Sequence, residues 1–179
     1  NENLGWAHTV GNLDEKDVFK LKMHPKKKRW YSVDGEWHKL EKKRAKLKVA
    51  LGKNGWFKIT VRKPFWKSMY GPTLENDHGF FSRRMPALMK IYPIVQWYRM
   101  NKARNFTEFK KAVDIQGLSR MKITYAEKND TIYFLSSGRI PNRADGYDWN
   151  RVVPGDTSLT LWDTYLPVDS FAQFLNPEC

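Results

Sequence analysis

Cysteine is almost absent from this chain of 179 residues, which contains only Cys179. An internal disulfide and a zinc site built from several cysteines are therefore excluded. Long hydrophobic runs are missing too, because the longest uncharged stretches, such as residues 92–98, fall far short of the roughly 20 apolar residues of a membrane span. A hydrophobic fraction of 41% with 15% aromatic residues favours a folded domain of ordinary size over disorder.

Most of the usual catalytic motifs are also missing. No Gly-x-Ser-x-Gly elbow, phosphate-binding loop or dinucleotide-binding loop is present, and the histidines lack the His-x-x-x-His spacing of a metal site. Each histidine alone is more often structural than catalytic; they are His8, His24, His38 and His78. The acidic turn at 14–17 offers hard oxygen ligands of the kind that calcium prefers, although such a turn is usually just solvated.

Acidic residues are scarce relative to basic ones, and the formal net charge is +13. The excess is concentrated at 20–53, where 13 Lys and Arg residues face three acids. One interpretation of the block at 20–57 is a polyanion-binding surface with Trp30 and Trp37 among its stacking platforms. The other is a solvated sheet face opposite a buried face. No nucleic-acid-binding motif accompanies the charge, which favours the sheet.

Hydrophobic residues alternate with polar ones through much of the chain, as in half-buried antiparallel strands. The pattern predicts strands at about 16–23, 46–51, 56–62, 121–127 and 131–136. Turn signals separate the runs at Asp34-Gly35, Lys53-Asn54-Gly55 and Gly71-Pro72, and a hairpin is expected across 128–130.

Helix is predicted mainly within 95–116, in two segments. Thr107 is expected to cap the second helix and Gly117 to end it. From 138 onward, repeated proline, glycine and aspartate residues predict irregular structure at the surface. The chain opens on GWAHTV at 5–10 and closes on an Asn-Pro turn, so we expect an interior piece of a larger protein.

Several segments, taken in order, resemble the penicillin acylase family, especially its aculeacin and acyl-homoserine-lactone acylase branch. They are GWAHTVG at 5–11, DEKDVFKL at 14–21, DGEW at 34–37, YGP at 70–72, DHG at 77–79, QWYRMNKARNFTEF at 96–109, TIYFLSSGRIPNR at 131–143 and GDTSLTLWDTYLPVDSFAQFLNP at 155–177. Each segment alone is a weak signal. Their order and spacing over nearly the whole chain make the resemblance specific.

The resemblance implies an α+β, mostly antiparallel section of a four-layer αββα sandwich, belonging to the large subunit of an N-terminal-nucleophile amidohydrolase. The section is β-rich at 1–85, helical at 95–116, a β-hairpin at 121–136 and an irregular wrap at 138–179. Its nucleophilic serine would lie outside the chain. The expected partners are the rest of the same acylase, including its small subunit, and a small N-acyl substrate; nucleic acid is not expected. A periplasmic or secreted location is implied as well.

The family resemblance also assigns roles to single residues. The backbone N–H of Val10 corresponds to one of the two oxyanion-hole donors, and Trp97 to a tryptophan that lines the acyl-group pocket. Asp14 and Asp17 correspond to calcium-binding carboxylates, with backbone carbonyls expected from Lys16 and Pro141. No organic cofactor is expected.

The chain departs from the family pattern at three places. Ser119-Arg120-Met121-Lys122 replaces a segment that is commonly apolar or contains Asn, and Glu127 ends a hairpin motif that usually reads Tyr-Ala-Asp. The added cations either favour an anionic group on the substrate or point to solvent. Gly11 stands where Asn is more common.

Overall fold

The computed structural model describes residues 1–51, 56–86 and 92–178. The predicted turn at Lys53-Asn54-Gly55 and the single cysteine, Cys179, lie outside the described residues. The chain divides into two compact units: the first contains 1–16, 85–143 and 162–179, and the second contains 17–84 and 144–161. No helix of the described part is long and apolar enough to cross a membrane.

The strands and helices follow one another in a simple order. The strands are β1 (Leu4–Val10), β2 (Asp17–Lys20), β3 (Lys22–Met23), β4 (Trp30–Val33), β5 (Glu36–Lys39), β6 (Glu41–Leu51), β7 (Phe57–Ser68), β8 (Gly71–Asn76), β9 (Gly79–Arg84), β10 (Met121–Glu127), β11 (Thr131–Ser137), β12 (Val153–Pro154) and β13 (Gln173–Leu175). The α-helices are α1 (Tyr92–Lys102) and α2 (Phe106–Val113). Antiparallel strands with few helices confirm the predicted α+β class.

The first unit is a four-stranded antiparallel sheet packed against the two helices. Its strand order is β1-β10-β11-β13. One face of the sheet and the inner faces of both helices share a core in which Met100, Phe109, Ile123 and Leu135 have no exposed surface. The sequence predicted irregular structure from 138 onward. In the structure, this region also contributes an edge strand, β13, which pairs with β11.

The second unit is built almost entirely from hairpins. A six-stranded sheet has the order β12-β2-β9-β8-β7-β6, and β3, β4 and β5 form a separate antiparallel sheet. The pair β12–β2 is parallel. The turn predicted at Asp34-Gly35 joins β4 to β5, and both residues have positive φ angles, 49° and 85°, as a two-residue hairpin turn requires.

The boundaries of the second helix differ from the prediction. Asn105, not Thr107, caps α2, because its side chain accepts a hydrogen bond from the Glu108 N–H at 2.9 Å. The helix ends at Val113, before Gly117. Asn and Thr are both good capping residues, so the sequence alone does not separate them. With Asn105 as the cap, Phe109 and Val113 of α2 lie in the core.

The prediction that β6 and β7 are half-buried is wrong for their outer ends. Leu47, Val49 and Leu51 are each between 39% and 47% exposed. The strands themselves form as predicted, with Leu51 opposite Phe57. Alternation of apolar and polar residues places the apolar side chains on one face of a strand. Burial of that face requires another layer of the protein to cover it. The described residues supply no such layer.

Gly117 does not end the helix as the sequence predicted; a glycine is needed there because the backbone of Tyr92 packs close to it. A Cβ atom at this position would lie 2.4 Å from the backbone oxygen of Tyr92. We therefore expect Gly117→Ala to lower the free energy of unfolding of this chain by about 1–3 kcal/mol, measured by urea denaturation. Gly5→Ala is the matched control, because a Cβ atom there would meet no other part of the chain within 4 Å. Equal stability of the two variants would contradict the close approach.

Glu127 ties the end of β10 to the start of α2. Its Oε2 accepts hydrogen bonds from the Tyr125 hydroxyl at 2.8 Å and the Phe106 N–H at 3.1 Å. These bonds, chiefly the one from Tyr125, lower the pKa of the Glu127 carboxyl. A carboxyl whose pKa is lowered in the folded state stabilises the protein when the pH is above the pKa of the unfolded chain, about 4.3. This stabilisation is lost as the pH falls through the lower pKa of the folded state.

Glu127→Gln is accordingly expected to cost about 1 kcal/mol of unfolding free energy at pH 7, and the difference from the unmodified chain should shrink as the pH is lowered toward about 3. Urea unfolding at a series of pH values measures this. Glu2→Gln serves as the control at an exposed acid. A difference that stays constant with pH would show that the ionised carboxylate is not what stabilises this junction.

Candidate functional site

The free edge of β1 is the first feature of the candidate site. Within the described part of the chain, β1 is an outer strand that pairs only with β10. The Gly11 N–H donates to the Arg120 carbonyl at 2.6 Å, and the Lys128 N–H donates to the Asn3 carbonyl at 3.2 Å. Both bonds fit the register that places Val10 opposite Met121. Odd-numbered residues of β1 therefore exchange hydrogen bonds with β10.

Even-numbered residues of β1 consequently direct their backbone groups away from β10, because hydrogen-bonded and non-hydrogen-bonded pairs alternate along an antiparallel ladder. Val10 is one of these residues. Its N–H points out of the sheet at the edge, and its side chain is 63% exposed. A rigid strand thus holds a backbone donor in a fixed direction, which is what stabilisation of a developing oxyanion needs.

An aromatic face lies beside this edge. Side chains two residues apart share one face of a strand, so Trp6, His8 and Val10 lie together. The ring of Trp6 is 6.2 Å from that of Phe109 in the core and 5.6 Å from that of His8. The ring of His8 is in turn 5.8 Å from that of Trp97 on α1. The structure therefore brings the two predicted residues, Val10 and Trp97, to the same face of one unit.

Gln96 holds the helix that carries Trp97. Its side chain is 1% exposed, and its Oε1 accepts hydrogen bonds from the backbone N–H groups of Gly117 and Leu118 at 2.6 and 2.8 Å. Trp97, the next residue of α1, is 39% exposed. Sequence reasoning missed Gln96, since a polar residue in a helix is usually solvated.

Lys122 does not belong to the aromatic face. It lies opposite Thr9 in the β1–β10 register, and directly opposed residues share a face of the sheet. The side chain of Thr9 projects to the other side of the sheet from those of His8 and Val10. Lys122 is exposed, so of the two alternatives that the sequence left open its position fits a cation that points to solvent.

The acidic turn contains an ion pair that the sequence did not predict. The Asp14 carboxylate lies 3.0 Å from the Arg143 guanidinium, and the Lys16 N–H approaches Asp14 Oδ1 at 3.5 Å. Glu15 is 4% exposed; its Oε1 accepts a hydrogen bond from the Ser119 hydroxyl, while its Oε2 has no hydrogen-bond partner among the described residues.

Of the other two predicted calcium ligands, one lies in a strand and one in an isolated bridge. Asp17 begins β2 in the second unit and is 2% exposed. Pro141 is buried and forms an isolated antiparallel bridge with Tyr165. In the described ranges, no group of three or more His, Cys, Asp and Glu side chains is placed to hold a metal ion.

The outer half of the β6–β7 pair, 46–51 with 57–62, separates its charges from its large apolar side chains. Lys46 lies opposite Arg62 and Ala50 opposite Lys58 on one face, whereas Val49 lies opposite Ile59 on the other. The predicted stacking platforms lie in other strands: Trp30 begins β4 and has the Lys27 ammonium 5.3 Å above its ring, and Trp37 in β5 lies 4.5 Å from the ring of His24. The chain's own residues already occupy part of these aromatic surfaces.

Comparison with known proteins identifies relatives along the whole chain. The family model described as Penicillin amidase matches residues 1–179. Penicillin G acylase of Escherichia coli is 25% identical over 182 residues, which include 99% of this chain and 21% of that protein. Acyl-homoserine lactone acylase PvdQ of Pseudomonas fluorescens (strain Pf0-1) is 26% identical over 181 residues, with 91% of this chain and 23% of that protein covered.

A solved structure shows the same fold. The thermostable penicillin G acylase from Alcaligenes faecalis superposes with a TM-score of 0.83 at 23% identity, and the match covers 99% of this chain and 31% of that one. The predicted fold is therefore confirmed. The chain spans about a fifth of the length of the curated relatives described above.

The basic face of β6 and β7 is expected to bind polyanions only weakly. Cations on the face opposite the apolar residues provide attraction at low salt that screening removes. We therefore expect binding of single-stranded DNA to be weaker than micromolar at physiological ionic strength, and unchanged by Trp30→Ala or Trp37→Ala, in fluorescence anisotropy titrations. Tighter binding that loses about 1–3 kcal/mol with either substitution would instead indicate recognition by base stacking.

Proposed function

Because the chain belongs to the penicillin amidase family, we propose that it is a section of an amidohydrolase that cleaves N-acyl amide bonds. The serine nucleophile of this enzyme lies outside the 179 residues. The observation that supports the proposal best is the Val10 N–H at the free edge of β1, beside the aromatic face formed by Trp6, His8 and Trp97.

The proposed reaction forms and hydrolyses an acyl-enzyme. The serine oxygen attacks the amide carbonyl carbon, and the α-amino group of the same serine accepts the hydroxyl proton through a water molecule. Negative charge then develops on the carbonyl oxygen, and the Val10 N–H donates a hydrogen bond to it. The amine leaves with a proton, and water releases the acyl group as a carboxylic acid.

The aromatic face suits the acyl half of such a substrate. Partly exposed rings next to the donor provide apolar surface on which an acyl group can be desolvated. Trp97 contributes its exposed ring from α1, and Trp6 connects the face to Phe109 in the core. The 179-residue chain alone should be inactive, because it lacks the nucleophile and the second oxyanion donor.

Replacement of Val10 tests the proposed donor in the intact protein. Proline has no N–H, and the N–H of Val10 does not point toward β10, so Val10→Pro should remove the donor without breaking the β1–β10 ladder. We expect kcat for hydrolysis of an N-acyl amide to fall about 10²- to 10³-fold. Val10→Ala, which keeps the N–H, is the matched control and should retain most of the activity.

Two other outcomes would change the account. If Val10→Pro and Val10→Ala have the same kcat, Val10 is not an oxyanion donor. If the unmodified intact protein hydrolyses none of a panel of N-acyl amides, then the chain is part of a family scaffold that lacks catalysis.

We also propose that the intact protein binds calcium at the acidic turn 14–17. The buried Oε2 of Glu15, which has no hydrogen-bond partner among the described residues, supports a cation nearby, since a buried carboxylate oxygen needs a partner. The ion would compete with Arg143 for Asp14. The carboxylates of this turn would hold the ion, and the ion would have a structural role.

Chelation tests the calcium proposal. Treatment of the intact protein with EGTA should lower its melting temperature, and added calcium should restore it. Asp14→Asn should reduce this calcium-dependent shift, whereas Asp145→Asn, at an exposed position, should leave it unchanged. A melting temperature that does not respond to EGTA or to added calcium would contradict the proposal.

A further inference from the structure

His8 lies between the two residues that the proposed function uses. It precedes Val10 by two positions on the same strand face, and its ring is 5.8 Å from that of Trp97. A strand rises about 3.3 Å per residue, so Val10 and His8 are separated by about 6.6 Å along β1. An acyl group that has its carbonyl oxygen at the Val10 N–H and its tail at Trp97 would therefore have His8 beside its first carbons.

The imidazole of His8 is available for a hydrogen bond at this position. Its ring neighbours are the indoles of Trp6, which is stacked on it at an interplanar angle of 27°, and of Trp97, which is tilted by 46°. Neither ring nitrogen has a hydrogen-bond partner within the part of the chain that the structure describes, and the side chain is exposed. Thr9, the next polar side chain of β1, projects to the opposite face.

We propose that His8 is a specificity-determining residue that hydrogen-bonds a polar substituent on the second or third carbon of the acyl group. A neutral imidazole has one donor and one acceptor nitrogen, so it can bind a hydroxyl in either direction and a keto oxygen as a donor. The inference rests on the proposed function. It narrows the substrate class to acyl groups with a hydroxyl or keto oxygen close to the scissile carbonyl.

The test compares two amides of the same amine and chain length, one with a 3-hydroxyacyl group and one with the unsubstituted acyl group. The intact protein should have the higher kcat/KM for the hydroxylated amide. In His8→Phe, which keeps an aromatic ring and removes both nitrogens, this preference should fall about three- to tenfold, as expected for loss of one hydrogen bond. The kcat/KM for the unsubstituted amide measures any change in packing at this position, so the preference is expressed in each protein as the ratio of the two kcat/KM values.

A second variant separates hydrogen bonding from packing. His8→Asn places an amide near the former imidazole nitrogens and should recover part of the preference that His8→Phe loses. If Asn and Phe reduce the preference equally, or if both substrates lose kcat/KM in parallel, His8 acts only through packing and the inference is wrong. The inference is also wrong if the unmodified protein shows no preference for the hydroxylated amide.

Binding of the product acids distinguishes failure of this inference from failure of the proposed function. Tryptophan fluorescence can follow binding of the 3-hydroxy acid and the unsubstituted acid, because Trp6 and Trp97 adjoin His8. A preference for the hydroxy acid that His8→Phe removes, in a protein that hydrolyses neither amide, would support the role of His8 and reject the hydrolase. Hydrolysis of both amides without any effect of His8→Phe would reject the role of His8 alone.

Discussion

The pairing of β1 with β10 determines the geometry of the candidate site. The hydrogen bonds at Asn3 and Gly11 fix the register at both ends of the strand. That register directs the N–H of Val10 out of the edge and places Trp6, His8 and Val10 on one face. A shift by one residue would direct the Val10 N–H to β10 and turn all three side chains to the other face of the sheet.

Two polar contacts, one buried at Gln96 and one partly buried at Glu127, extend this constraint from the sheet to the helices. Gln96 anchors α1 through the N–H groups of Gly117 and Leu118, and Glu127 connects the end of β10 to the start of α2. Because an unsatisfied polar group is costly in a core, the buried Gln96 strongly favours one position of α1. The apolar core supplies most of the stability, whereas these contacts determine where Trp97 meets the face of β1.

Local patterns predicted much of the fold, and long-range contacts account for most of the errors. Alternating residues predicted β10 and β11 because both strands have a covered face, as at Ile123 and Leu135. The same pattern could not show that the outer end of β6 lacks a cover. The roles that the resemblance assigned to Val10 and Trp97 stay predictions. The contact between Asp14 and Arg143 spans 129 positions and leaves no local signal. Gly117 was assigned to a helix end because only the folded structure shows its approach to Tyr92.

Amide hydrogen exchange along β1 tests most directly whether the Val10 N–H is free at the sheet edge. NMR on this chain can resolve each amide of the strand. The register predicts slow exchange at Ala7, Thr9 and Gly11, whose N–H groups face β10, and fast exchange at His8 and Val10. Protection of Val10 equal to that of Thr9 and Gly11 would show that its N–H is already bonded, and would contradict its assignment as an oxyanion donor.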